Sequence, residues 1–149
     1  MEPPLGRRLY LGQRAVAEVL DRRLQTKGAS LWNWVLLREA TRASGASQRE
    51  LADLMHIEPP TLVRHLDRLE SDGYVERRPD SDDRRRLLVF VTPAGRRRLT
   101  ELHKVAERTD ADLRSVLTDD EIETLGDALV RIQEHFTTLA GEEATRGRH

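Results

Sequence analysis

The chain contains no cysteine. That absence excludes disulfides, iron–sulfur clusters, thiolate zinc sites and thiol-based redox sensing. No apolar run approaches the roughly 20 residues that span a bilayer, and the opening "MEPPLGRRLY" has no apolar centre of a signal peptide. No membrane partner is expected, and the cytoplasm is the expected location. Charge of one sign is missing too, since the formal net charge is −1. The histidines at 56, 65, 103, 135 and 149 show no paired ligand spacing, so neither a metal nor another cofactor is expected. His103, with carboxylates nearby, is the one position where a metal could be considered. A convergent acid, base and nucleophile set is also lacking. Asp119 and Asp120 are helix-start residues that suit the helix dipole, and no enzyme is expected.

What is present is a chain of 149 residues, 38% hydrophobic and 34% charged. A single domain of this length buries roughly 70% of its unfolded surface, so a real core is within reach. The small net charge hides an uneven distribution: residues 1–104 sum to +5 and residues 105–149 to −6. A basic body permits a polyanion partner on one face, although such asymmetry is common in helical proteins.

Along the chain, residues 5–26 carry Leu9, Val16, Val19, Leu20 and Leu24 among charges, a loosely amphipathic helix. Ser30 caps a second helix, "LWNWVLLREATRA", whose apolar first half predicts a central position. Ser47 and Glu50 have capping-box spacing at the start of a short third helix. Glu58, Pro59 and Pro60 follow. A residue before proline is pushed out of the helical region, which predicts a break through Pro59 and a new helix from Pro60 to Ser71, ended by Gly73. On that helix Leu62, Leu66 and Leu69 follow core spacing, while Thr61, Arg64, His65 and Arg68 follow the same spacing on the other side. Two helices joined by about four residues, with small Ala52 where they approach, predict a helix-turn-helix.

"YVERR" and "LLVFVT" then read as two strands, bracketing a loop dense in arginine and aspartate. A helix-turn-helix followed by such a hairpin is a winged helix. Arg84, Arg85 and Arg86 at the hairpin tip can reach phosphates or a narrow minor groove. One of Asp82 and Asp83 is expected to fix the loop by pairing with an arginine, with Arg77 as the candidate. Thr92 and Pro93 open a helix over about 93–117, and Thr118 with Glu121 opens a last one. Ile122, Leu125, Leu129, Ile132, Phe136 and Leu139 step 3, 4, 3, 4, 3 along it, the pattern of helix-on-helix packing.

The run "SQRELADLMHIEPPTLVRHLDRLESDGYVERRPDSDDRRRLLVFVTPAG" between two pairs of helices resembles the multiple-antibiotic-resistance regulator (MarR) family over nearly the whole chain. The resemblance implies a mostly α fold with a small β-hairpin wing, in one domain over 1–149. The winged helix-turn-helix would occupy about 30–92, and N- and C-terminal dimerisation helices about 5–26 and 105–140. It also implies a homodimeric transcriptional regulator, usually a repressor, that binds double-stranded operator DNA and is released by a small aromatic or anionic effector. Carried over, Pro60, Thr61, Arg64 and His65 face the major groove, and Asp83 and Arg85 match the wing motif. Ser47, Gln48, Arg68, Arg84 and Arg86 complete the candidate DNA-contacting set. Arg86 is a departure, since the family often has a small residue there; it is read as an added phosphate contact. The family's cysteine-based peroxide sensing has no counterpart here.

Each of these features has a blander explanation. The cationic helix face could be solvated surface, and so could Arg96, Arg97 and Arg98 near the start of the fifth helix. Trp32 and Trp34 sit two apart and cannot share a helix face; core or interface is their ordinary place, and either is a candidate to line an effector cleft. A helical dimeric interaction protein without DNA binding would explain the terminal seams, but not the proline-punctuated helix-turn-helix or the wing.

Overall fold

The computed structural model describes residues 3–146. The elements run α1 (Leu5–Gln25), α2 (Leu31–Arg42), α3 (Gln48–Met55), α4 (Pro59–Ser71), β1 (Val75–Pro79), β2 (Leu87–Val91), α5 (Pro93–Arg114) and α6 (Asp119–Arg146). The chain divides into two compact units, one reaching to Thr109 and one starting at Asp110. No helix among the described residues is long and apolar enough to cross a membrane.

Local chemistry sets most boundaries in the first unit. Ser30 accepts from the Asn33 backbone N–H and starts α2. The Ser47–Glu50 capping box is complete in both directions at α3, so two orphan backbone donors are satisfied reciprocally. His56 closes α3 in the left-handed region at φ 52°. Glu58 is extended at ψ 140°, and both prolines then enter the first turn of α4. The expected start at Pro60 is one residue late, because a first turn needs no backbone donor from either proline. Gly73, at φ 77°, ends α4. The Tyr74 N–H reaches the Leu69 carbonyl at 2.8 Å and the Gly73 N–H reaches that of Glu70 at 2.9 Å, the paired bonds of a Schellman end.

The core gathers around Leu24, Leu36, Leu51, Leu62, Leu66 and Leu102, all fully buried. Each such side chain contributes about 1.5–3 kcal/mol on leaving water. Strands β1 and β2 pair antiparallel with Arg77 opposite Val89. The hairpin is also tied to the chain before α3: Gly45 donates to the Val89 carbonyl at 3.0 Å, and Val89 donates to that of Ala46 at 2.9 Å. The wing therefore springs from the start of the helix-turn-helix. Gly95 is required beyond it, since a Cβ there would lie 2.0 Å from the Tyr74 carbonyl oxygen.

The second unit has a different character. Thr118 and Glu121 form the expected capping box, with the Thr118 N–H on Glu121 at 2.9 Å. No residue of α6 is buried. Along its seam Leu125, Leu129 and Phe136 are exposed, Phe136 at 63%, while Ile122, Ile132 and Leu139 are half-buried. Helix α5 ends at Arg114, three residues before the expected 117, and Val116 beyond it is 76% exposed.

Candidate nucleic-acid interface

Helix α4 divides as its spacing predicts. Leu62, Leu66 and Leu69 are buried, while Arg64 and Arg68 are exposed and Thr61 and His65 are half-buried. Neither arginine makes a hydrogen bond or ion pair among the described residues. Pro60 is exposed in the first turn of α4. His65 is held below its ordinary pKa, first by burial and then by the Arg64 and Arg68 guanidiniums.

The acids of α4, Asp67 and Glu70, are not idle flank residues. Both bind Arg77 of β1, whose Nη2 lies 2.6 Å from Asp67 and 2.5 Å from Glu70. Arg77 Nη1 also donates to Gln48 Oε1 at 3.2 Å, and its backbone N–H donates to Glu70. The hydrogen bonds from Arg77 hold the Glu70 carboxyl below its usual range. The expectation that Arg77 pairs with a wing aspartate is therefore corrected. In register opposite Val89, Arg77 sits midway along the hairpin, and its side chain is turned to α3 and α4 and away from the loop. The result is a clamp joining α3, α4 and β1. The Arg77 charge also partly offsets two negative charges that would otherwise repel a polyanion from α4.

At the wing the three arginines differ. Arg84 is exposed and makes no ion pair among the described residues. Arg85 is 93% exposed along its side chain, and its Nε lies 3.3 Å from Asp83. Asp83 also accepts the Arg85 backbone N–H at 3.0 Å, so this carboxylate shapes the loop and orients one guanidinium. Asp82 donates its backbone N–H to Asp80. Arg86 instead turns inward, with Nη2 2.8 Å from Glu50 and Nη1 3.7 Å from Asp80.

Glu50 thus serves two elements at once. One oxygen holds Ser47 in the capping box and the other takes Arg86. The Ser47 backbone N–H, the Ser47 hydroxyl and Arg86, in that order, bring its pKa down to about 2. Ser47 is buried and its hydroxyl is engaged in that box, while Gln48 is half-buried against Arg77. The Arg77 partnerships and the Arg86–Glu50 pair join residues 7 to 36 positions apart, and no local spacing signals them.

The tryptophans diverge. Trp34 donates its indole N–H to His103 Nδ1 at 3.1 Å, with the Arg38 guanidinium 4.8 Å from its ring centroid. Trp32 stacks on His65 of α4. A cavity of about 10 Å³ bordered in part by Asn33, Leu37, Tyr74 and Arg98 has room for about one water and includes neither indole. Among the described residues no group of three or more His, Asp or Glu could hold a metal ion; His149 lies outside them.

A short helix, a three-residue turn, a second helix with an open cationic face and a two-stranded hairpin rooted beside the first define a winged helix-turn-helix protein. A family model described as the MarR family matches residues 30–87. The chain is similar to a crystal structure of MarR at 30% identity and TM-score 0.84, covering 95% of this chain and 96% of that one. It is also similar to a mutant MarR from E. coli complexed with operator DNA, at 28% identity and TM-score 0.79, covering 87% and 93% respectively. An S. aureus MepR–DNA complex shares the fold at 19% identity and TM-score 0.79, covering 90% and 99%. The chain belongs to the MarR family.

Proposed function

We infer that the chain is a sequence-specific DNA-binding transcriptional regulator that acts as a homodimer, with α4 in the major groove and the wing on the flanking backbone. The observation that carries this reading is the outward face of α4. Thr61, Arg64, His65 and Arg68 lie on a helix whose opposite side is fixed in the core, and its two arginines make no hydrogen bond or ion pair among the described residues. A rigid helix with unsatisfied guanidiniums is what base-edge recognition requires, because bidentate contacts fail if the donor must first be reoriented. The similar MarR complexed with operator DNA supports the same reading.

Within it the candidate residues separate by role. Pro60, Thr61, Arg64, His65 and Arg68 address the groove. Arg84 and Arg85 address phosphates, with Asp83 shaping their loop. Ser47, Gln48 and Arg86 belong to the scaffold that aims them, since each is engaged with another side chain. The second copy of the chain covers the open seam of α6, where Leu125, Leu129 and Phe136 are too exposed for a helix that stays alone in water. We assign release by a small anionic aromatic ligand to the Trp34 neighbourhood, where Arg38, paired with Glu39, and His103 flank the indole and the ligand would compete with Glu39 for the guanidinium.

Selection from random duplexes, followed by gel shift with the selected duplex and with the DNA upstream of the chain's own coding region, tests the reading. The expected result is enrichment of a two-fold symmetric site with half-sites about one helical turn apart. A pool that never enriches would contradict it.

A further inference from the structure

The two tryptophans of α2 point to different elements because residues two apart on a helix lie about 200° apart around its axis. Trp34 takes its place against α5 through His103. Trp32 reaches α4, where its ring lies 5.9 Å from the His65 ring, centroid to centroid, with the planes 28° apart. Trp32 nevertheless stays 43% exposed. A tryptophan recruited only to fill the core would be covered more completely. Its partner, moreover, belongs to the outward face of α4, beside Arg64 and one turn from Thr61 and Arg68.

Resting on the DNA-reading function above, we propose that Trp32 is a positioning residue of the recognition face, holding the His65 imidazole in one orientation for contact with a base edge. The physical content is preorganisation. A histidine at a helix surface samples several rotamers and its ring rotates broadly about its second torsion. A stacked indole restricts that freedom before DNA arrives, so less ordering is left to be done on binding. Aromatic pairs of this kind shift an equilibrium by about 2- to 12-fold. From α2 the imidazole meets the uncharged indole, and on its own helix it meets the charges of Arg64 and Arg68. Burial and those two cations favour the neutral ring. A neutral imidazole presents one donor and one acceptor nitrogen, so it can meet either the acceptor or the donor of a base edge, whereas a cation only donates.

Two measurements test the stack and its purpose separately. In the Trp34→Phe protein, Trp32 is the remaining tryptophan, and its fluorescence reads the stack without DNA. Acidification should quench it as the imidazolium forms, with a midpoint below the ordinary histidine value of 6.5. The Trp34→Phe, His65→Asn protein should show no such quench. Against the selected duplex, Trp32→Ala should lose about 2- to 12-fold in affinity, and Trp32→Phe should recover most of it. Affinity for random-sequence duplex at the same salt should stay unchanged. His65→Ala should cost little more in the Trp32→Ala background, because the pair acts as one unit. Equal losses on both duplexes, additive losses, or fluorescence indifferent to His65 would overturn the proposal. So would wild-type affinity in Trp32→Ala, and with a duplex already selected that result leaves the regulator reading intact. A wild-type protein that selects no duplex overturns both together.

Discussion

Helix α4 and the wing carry cationic clusters of similar size, yet the protein treats them differently. The wing has three arginines in a row, and two of them are engaged by carboxylates. Helix α4 spreads Arg64 and Arg68 over one turn and leaves both without a hydrogen-bond or ion-pair partner among the described residues. Density of charge in sequence is therefore a poor guide to which charges are available. Loop arginines need carboxylates to hold the loop in one shape, whereas helix arginines are already placed by Leu62, Leu66 and Leu69 beneath them. The acids near α4 are withdrawn by Arg77, which turns a repulsive flank into a clamp.

The comparison breaks most completely if the second copy of the chain is removed, because both elements then lose their fixed spacing on DNA. Deleting residues 119–149 should abolish the dimer and yield aggregated or unfolded protein; a well-folded monomer in analytical ultracentrifugation would contradict this. Next in size, Arg64→Ala should cost about 1–3 kcal/mol on the selected duplex and relax base preference at one position per half-site. Competition gel shifts with single-base variants read that loss. Arg85→Ala should weaken binding to all sequences more evenly and flatten the salt dependence by about one unit. Arg86→Ala should leave that slope as it is, since its guanidinium is occupied by Glu50; a slope lowered like that of Arg85→Ala would make Arg86 a phosphate contact.

The smallest effect concerns the root of the wing. Glu50 has a folded pKa near 2 against an ordinary 4.5, so its contribution to stability is present above about 4.5 and is lost as pH falls towards 2. Glu50→Gln preserves the capping-box geometry and removes the ion pair. It should melt slightly below wild type at neutral pH, with the gap closing between pH 4.5 and 2. A gap that persists unchanged in acid would show that the carboxylate charge contributes nothing.

Much of the architecture was legible in local spacing. Ser47 with Glu50, Thr118 with Glu121, and Gly73 each act on backbone groups within a few residues, so sequence carries their signal. The apolar and polar faces of α4 were readable for the same reason. Long-range partnerships left no such trace. Nothing near Arg77 in sequence announces Gln48, and nothing near Trp32 announces His65. The double proline was read one residue late because its effect depends on which backbone donors the first turn can spare. Gly95 carries no local mark of the Tyr74 carbonyl packed against it.

Sequence-specific recognition by α4 is the claim on which the rest depends, and an equilibrium titration of wild-type protein tests it most directly. The selected duplex and a scrambled one of equal length are compared between 50 and 200 mM salt. The predicted result is tighter binding to the selected duplex by about 10³-fold or more, with both affinities falling steeply as salt rises. Equal affinity for the two duplexes at every salt concentration would contradict it.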